Sequence, residues 1–244
     1  MSGRPGRART LIGGAAAIIA ALCYSSFLLS PWLDPGSPAA NGFVSELEDP
    51  GQPFAWLYRT SDVVAGLGIL VAAWAVWPLV AGRRWAKAGV ALLALTGIGS
   101  LLDPAASMQC DPSVSASCAQ AEHTAVGLLR QLLVLHTDSG LLGFAGSAAG
   151  AAVLGLVLAG RWPFWGRLQV ALGIAMASCG LADIVLLLVG ASIGTAERVR
   201  ILLTSGWFAS IGFFLLTQRP ASRPRRPRDA PPSRLRRSAL GSKR

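Results

Sequence analysis

Apolar residues run in six long stretches broken by short polar segments, at about 10–30, 62–82, 86–103, 138–160, 168–190 and 200–217. Each is close to the ~20 residues an α-helix needs to cross a ~30 Å hydrocarbon core. The pattern predicts an all-α polytopic membrane protein, a six-helix transmembrane bundle. The expected organisation is a basic tail at 1–9, a membrane domain at 10–217 with outer loops at 31–61, 104–137 and 191–199, and a basic tail at 218–244. The stretch 121–136 is ambiguous: it reads as an interfacial helix that turns near residues 137–140 into the fourth span, or as a continuation of that span. The loop 31–61 is rich in Pro, Gly and acids and reads as irregular.

Composition agrees. Hydrophobic residues make up 52% and charged residues only 14%, with a mean hydropathy of +0.51. The net charge is nevertheless +10, and its placement explains why. All basic residues except Arg59, Arg130, Arg198 and Arg200 fall in the two tails and in the breaks after the second and fourth stretches. Six crossings put these four segments on one side, which the positive-inside rule makes the cytoplasm. The expected topology is therefore N-in/C-in, in the plasma membrane. The first stretch reads as a retained helix, since its apolar run is long for a signal peptide. Trp32, Trp56 and Tyr58 are placed to flank the outer ends, and Trp77, Trp85, Trp162 and Trp165 the inner ends.

The tail 218–244, with many Pro and Arg, cannot bury a core and is expected to be disordered. It can contact anionic lipids, or serve as a topology anchor alone. Nothing in it specifies a nucleic acid. Membrane lipids are the expected partners.

Ionisable groups in or near the bilayer point to a site by default. Asp62, Asp103, His123, Arg130, His136, Asp138 and Asp183 all map to the outer half. Asp62 and Asp138 can instead cap helix N-termini. Asp103, at a helix C-terminus, opposes the dipole and needs a cation such as Arg59 or Arg130, or faces water. Asp183 has no capping role, and Arg200, Arg198 or a histidine is its cheapest partner. Cys110 and Cys118 bracket an outer loop where an oxidising compartment would close them into a disulfide; a metal pair is the weaker reading. Cys23 and Cys179 read as small buried hydrophobes. Gly146 to Gly150 form a small-residue face for close helix approach, with another helix of the bundle as the expected partner.

No catalytic motif is present: there is no HExxH, P-loop, GxSxG or nucleotide-binding glycine pattern. No catalytic residue, metal site or cofactor is assigned. The leading expectation is a polar pocket in the outer half that binds a lipid, small amphiphile or membrane partner. A metal-dependent hydrolase acting on a lipid and a proton- or cation-linked transporter are the alternatives.

Several segments carry a resemblance: Asn41-Gly42 through Tyr58 to Gly66, Leu102-Asp103-Pro104 through Cys110-Asp111-Pro112 and Cys118, and Leu135-His136-Thr137-Asp138. Together they resemble a family of six-helix bacterial membrane proteins known only as a domain of unknown function. The resemblance implies the fold and brings no activity. A more distant similarity is to alkaline-ceramidase and progestin-receptor-like membrane hydrolases, which hold a metal between His and Asp at a bundle mouth. This chain departs from them, because its last two spans contain no His and it has only 2 His in all.

Overall fold

The computed structural model describes residues 6–35, 42–105, 115–117, 135–189, 191 and 194–218, with only the backbone for 135–141 and Leu187. Six long helices dominate: α1 (Arg7–Tyr24), α2 (Ala55–Val80), α3 (Ala86–Leu102), α4 (Leu135–Ala159), α5 (Pro163–Leu188) and α6 (Gly194–Leu216). Each contains a segment long and apolar enough to cross a membrane. No strand occurs among the described residues. The chain is a multi-pass α-helical membrane protein.

Helix starts differ from the hydropathy pattern. α2 begins at Ala55 instead of 62, α5 at Pro163 instead of 168, and α6 at Gly194 instead of 200. Polar residues such as Arg59, Thr60 and Ser61 lower hydropathy without breaking the helix. Proline is favoured in a first turn, where its missing N–H costs nothing. α1 ends earlier, at Tyr24, and continues as a 3-10 turn (Ser26–Leu29) and one helical turn (Ser30–Leu33).

Each helix packs on its neighbours in sequence, and α6 returns against α1. The six form a closed ring, with Arg7 and Leu216 at the same end. Leu93, Leu154, Met176, Trp207, Phe208 and Phe214 fill its interior and are fully buried.

Hydrocarbon gives helices no hydrophobic reason to associate, so close backbone approach through small residues has to hold them. Five of the six seams are built that way. A Cβ on Gly68 would lie 2.7 Å from the Ala16 carbonyl (α1–α2), and one on Gly66 2.6 Å from that of Gly97 (α2–α3). The same holds for Gly146 and Leu92 at 3.1 Å (α3–α4), Gly155 and Gly166 at 2.7 Å (α4–α5), and Gly212 and Gly14 at 2.9 Å (α6–α1). The small-residue face of α4 thus meets α3 within the bundle. Gly150 on the same face meets Leu92 and the Trp207 ring.

The α5–α6 seam is different. Side chains bridge it at seven-residue intervals along α5. Asp183 meets Arg200 at 2.9 Å, Met176 Sδ accepts from Thr204 at 3.3 Å, and Gln169 donates to Ser210 at 2.7 Å while accepting from Trp207 Nε1.

Arginines serve carbonyls at the end that carries the chain termini. Pro78 lies inside α2 and lacks the N–H that would bond the Trp74 carbonyl. Arg9 of α1 donates to that carbonyl through Nε at 3.1 Å and lies over the Trp74 ring. Arg83 donates to Val157, in the last turn of α4, at 2.6 Å. Trp162 and Trp165 pack edge-on against Phe214. Tyr58 is buried.

Gly97→Val should force α2 and α3 apart and cost about 1–3 kcal/mol. Gly206→Ala, with nothing within 4 Å, should be silent. Loss of monodisperse detergent-solubilised protein on heating, read by size-exclusion chromatography, separates the two.

Candidate functional site

Every acidic side chain among the described residues lies at the ring end opposite the termini. Asp34, Glu46, Glu48 and Asp49 come from the first loop; Asp62, Asp103, Asp183 and Glu197 come from the helix ends. The first loop is the organising piece. Residues 42–54 are not a loose connection: they fold over the bundle mouth around a 3-10 turn, Val44–Glu48. Leu47 of that turn, with Phe27, Tyr58 and Ile201, forms a small core separate from the main one.

Polar contacts pin the same segment. Glu197 accepts from the Val44 N–H at 2.9 Å, and Arg198 donates to the Gly42 carbonyl at 2.7 Å. Arg59 donates to the Glu48 carbonyl at 2.8 Å. Those partners make the fold local and satisfy backbone groups that burial would otherwise leave costly.

Under this flap lies a cavity of about 100 Å³. Tyr24, Phe27 and Tyr58 give it aromatic walls. Glu48, Asp62, Asp103, Glu197 and Arg200 give it charge, and Ser100, Gly99 and Gly143 close its floor and side. Glu48, Asp62 and Asp103 can each present a carboxylate oxygen within 4.8 Å of the others. Three carboxylates this close repel one another unless a proton or a cation sits among them. The oxygen-only donor set suits a hard cation or an ammonium, not zinc, which favours nitrogen and sulfur.

Asp62 stands seven residues into α2, so it is no N-cap; the helix begins well before it. Asp138 likewise lies inside α4, three residues past its first, and not at its cap. Asp103 opens a 3-10 turn, Asp103–Ala105, at the end of α3. It faces the cavity. Asp183 pairs with Arg200, one of the partners its sequence position suggested. Its Oδ1 is buried and has no hydrogen-bond partner among the described residues. Asp183 does not line the cavity itself; Arg200 stands between them.

Thus Asp62 and Asp103 come together with Asp183 one residue behind. His123, Arg130, Cys110 and Cys118 lie outside the described residues, as do the side chains of His136 and Asp138. The expected disulfide is not seen among the described residues, where Cys23 and Cys179 are free and half-buried. The tail 219–244 is also outside them. Glu48 and Glu197 line the cavity without having been singled out in the sequence, whereas Arg200 was named there only as a partner for Asp183. For Glu48 the available signal was the density of acids in the first loop.

Fold and site together define a polytopic α-helical membrane protein with a capped, mainly acidic pocket at one end of its ring. The model of the family described as "protein of unknown function (DUF998)" matches residues 17–213, and the chain belongs to that family. No curated protein and no solved structure matches it, so the distant likeness to ceramidase-like hydrolases is not shown.

The Asp183–Arg200 pair gives a test of the site's construction. Asp183→Leu alone should destabilise the protein by about 3 kcal/mol or more, because it leaves a part-buried guanidinium unpaired. Adding Arg200→Met should recover much of that loss. Thermal denaturation of all four proteins of the cycle measures the coupling.

Proposed function

We propose that the pocket binds the positively charged head of a lipid or small amphiphile, on the outer face of the plasma membrane. One observation carries the reading: three carboxylates converge in a cavity that also has aromatic walls. Carboxylates neutralise an ammonium. Tyrosine and phenylalanine faces attract it through their quadrupoles, with more force where water is excluded. Arg200 does not cancel this acidity, because Asp183 already engages it. The flap Val44–Glu48 covers part of the site from above and brings Glu48 to it. The outward orientation follows from the arginines at the opposite end, by the positive-inside rule.

The chemistry fixes a sign for pH. An ammonium competes with protons for the oxygens of Glu48, Asp62 and Asp103. Affinity should therefore rise as pH rises.

Dodecyltrimethylammonium is the probe. Purified protein in a non-ionic detergent should bind it, and Asp62→Asn with Asp103→Asn should weaken binding by about tenfold or more, since a contact to a charged group contributes ~1.5–3 kcal/mol. Binding is read by tryptophan fluorescence at several pH values. Equal affinity in parent and variant would refute the reading. So would tight calcium or magnesium binding that the probe cannot compete with, which would make the trio a metal site.

A further inference from the structure

We infer that the pocket's ligand is dissolved in the membrane and reaches the pocket sideways, by the parting of α5 and α6. The inference rests on the reading above and names the class of ligand: an amphiphile with an apolar tail, not a water-borne ion.

The ring has one seam that can part. Glycines lock the other five at backbone distance, and separating those helices would strip away packing with nothing to replace it. On α5, Gly166 and Gly173 turn toward α4, where a Cβ on Gly173 would lie 2.9 Å from the Ala148 carbonyl. Gly180 receives the Phe144 ring of α4. On α6, Gly212 turns toward α1 and Gly206 meets nothing within 4 Å. Three polar rungs hold α5 to α6. Side-chain rungs can exchange partners one at a time, whereas interlocked backbones cannot.

The rung nearest the pocket is the charged one, and its bonding is incomplete. Arg200 holds Asp183 through Nε to Oδ2, and Asp183 Oδ1 is buried without a partner among the described residues. A buried orphan acceptor costs about 1–3 kcal/mol. An incoming ammonium can sit on that oxygen first. Arg200 lines the pocket on its other side, so one hand-over carries the head from Asp183, past Arg200, to the acid trio. Ile184 and Leu188 of α5, one and five residues beyond Asp183, are exposed and offer apolar surface to the tail at the same end of the bundle.

The test locks the seam away from the pocket. Met176→Cys with Thr204→Cys puts two thiols on facing positions of α5 and α6, whose present side chains meet at 3.3 Å, in a background where Cys23, Cys110, Cys118 and Cys179 are serine. Copper–phenanthroline closes the bridge and dithiothreitol opens it, in proteoliposomes. Two probes separate the outcomes: dodecyltrimethylammonium, which partitions into the bilayer, and tetramethylammonium, which has the head alone. Oxidation should slow association of the tailed probe by about tenfold or more, through on-rate, and reduction should restore it; the head-only probe should bind alike in both states. The restored rate shows that the variant is folded. A tailed probe that associates equally fast with the locked protein overturns the lateral route. Slowing of both probes equally overturns it as well. Failure of the unlocked protein to bind either probe is a distinct result, and it overturns the pocket reading and the route together.

Discussion

Each polar group that six helices carry into hydrocarbon must find its partner inside the protein, because no water is there to supply one. That constraint organises this chain from end to end. Within the helices, the backbone satisfies itself. Where Pro78 breaks the ladder, Arg9 crosses from α1 to complete it. Where α4 ends, Arg83 reaches the Val157 carbonyl. Deep in the ring, Gln169, Trp207 and Ser210 satisfy one another. Against this background, the convergence of Glu48, Asp62 and Asp103 in one cavity stands out. It belongs to function more than to stability.

The ring is also unequal around its circumference. Close packing through glycine yields a stiff interface with no polar chemistry, whereas pairing through side chains yields one whose contacts can be exchanged. Five seams follow the first plan and one the second. The exchangeable seam ends at Arg200, the same residue that closes one side of the pocket. Rigidity, access and charge are therefore distributed by the same few helix faces. The flap completes the arrangement from above, held by Arg59, Glu197 and Arg198.

The sequence showed the fold because hydropathy reports what a span requires. Six apolar stretches meant six spans, and Arg against Asp and Glu showed that the two ends differ. It showed less of the site. Asp62 and Asp103 were visible as acids in apolar surroundings, and Arg200 as a partner for Asp183. Glu48 was not visible, because it lies in a proline-rich segment with no periodicity, and only the contacts from α2 and α6 turn that segment into a flap. Glu197 was hidden by the late start that hydropathy assigned to α6. Hydropathy marks where the chain leaves hydrocarbon, and helices here run several residues past that point. Tyr58 resembled an interfacial anchor, yet its ring is in the small core under the flap; side-chain direction depends on which loop folds back, which a single sequence does not state.

The central claim is that the acidic end is built around a positive head group. An experimental structure of the full chain, extracted from its native membrane with no ligand added, tests it most directly. The account predicts elongated density with its head among Glu48, Asp62 and Asp103 and its tail directed between α5 and α6. Carboxylates splayed apart around solvent alone, or Arg200 released from Asp183 and turned in to neutralise them, would contradict it.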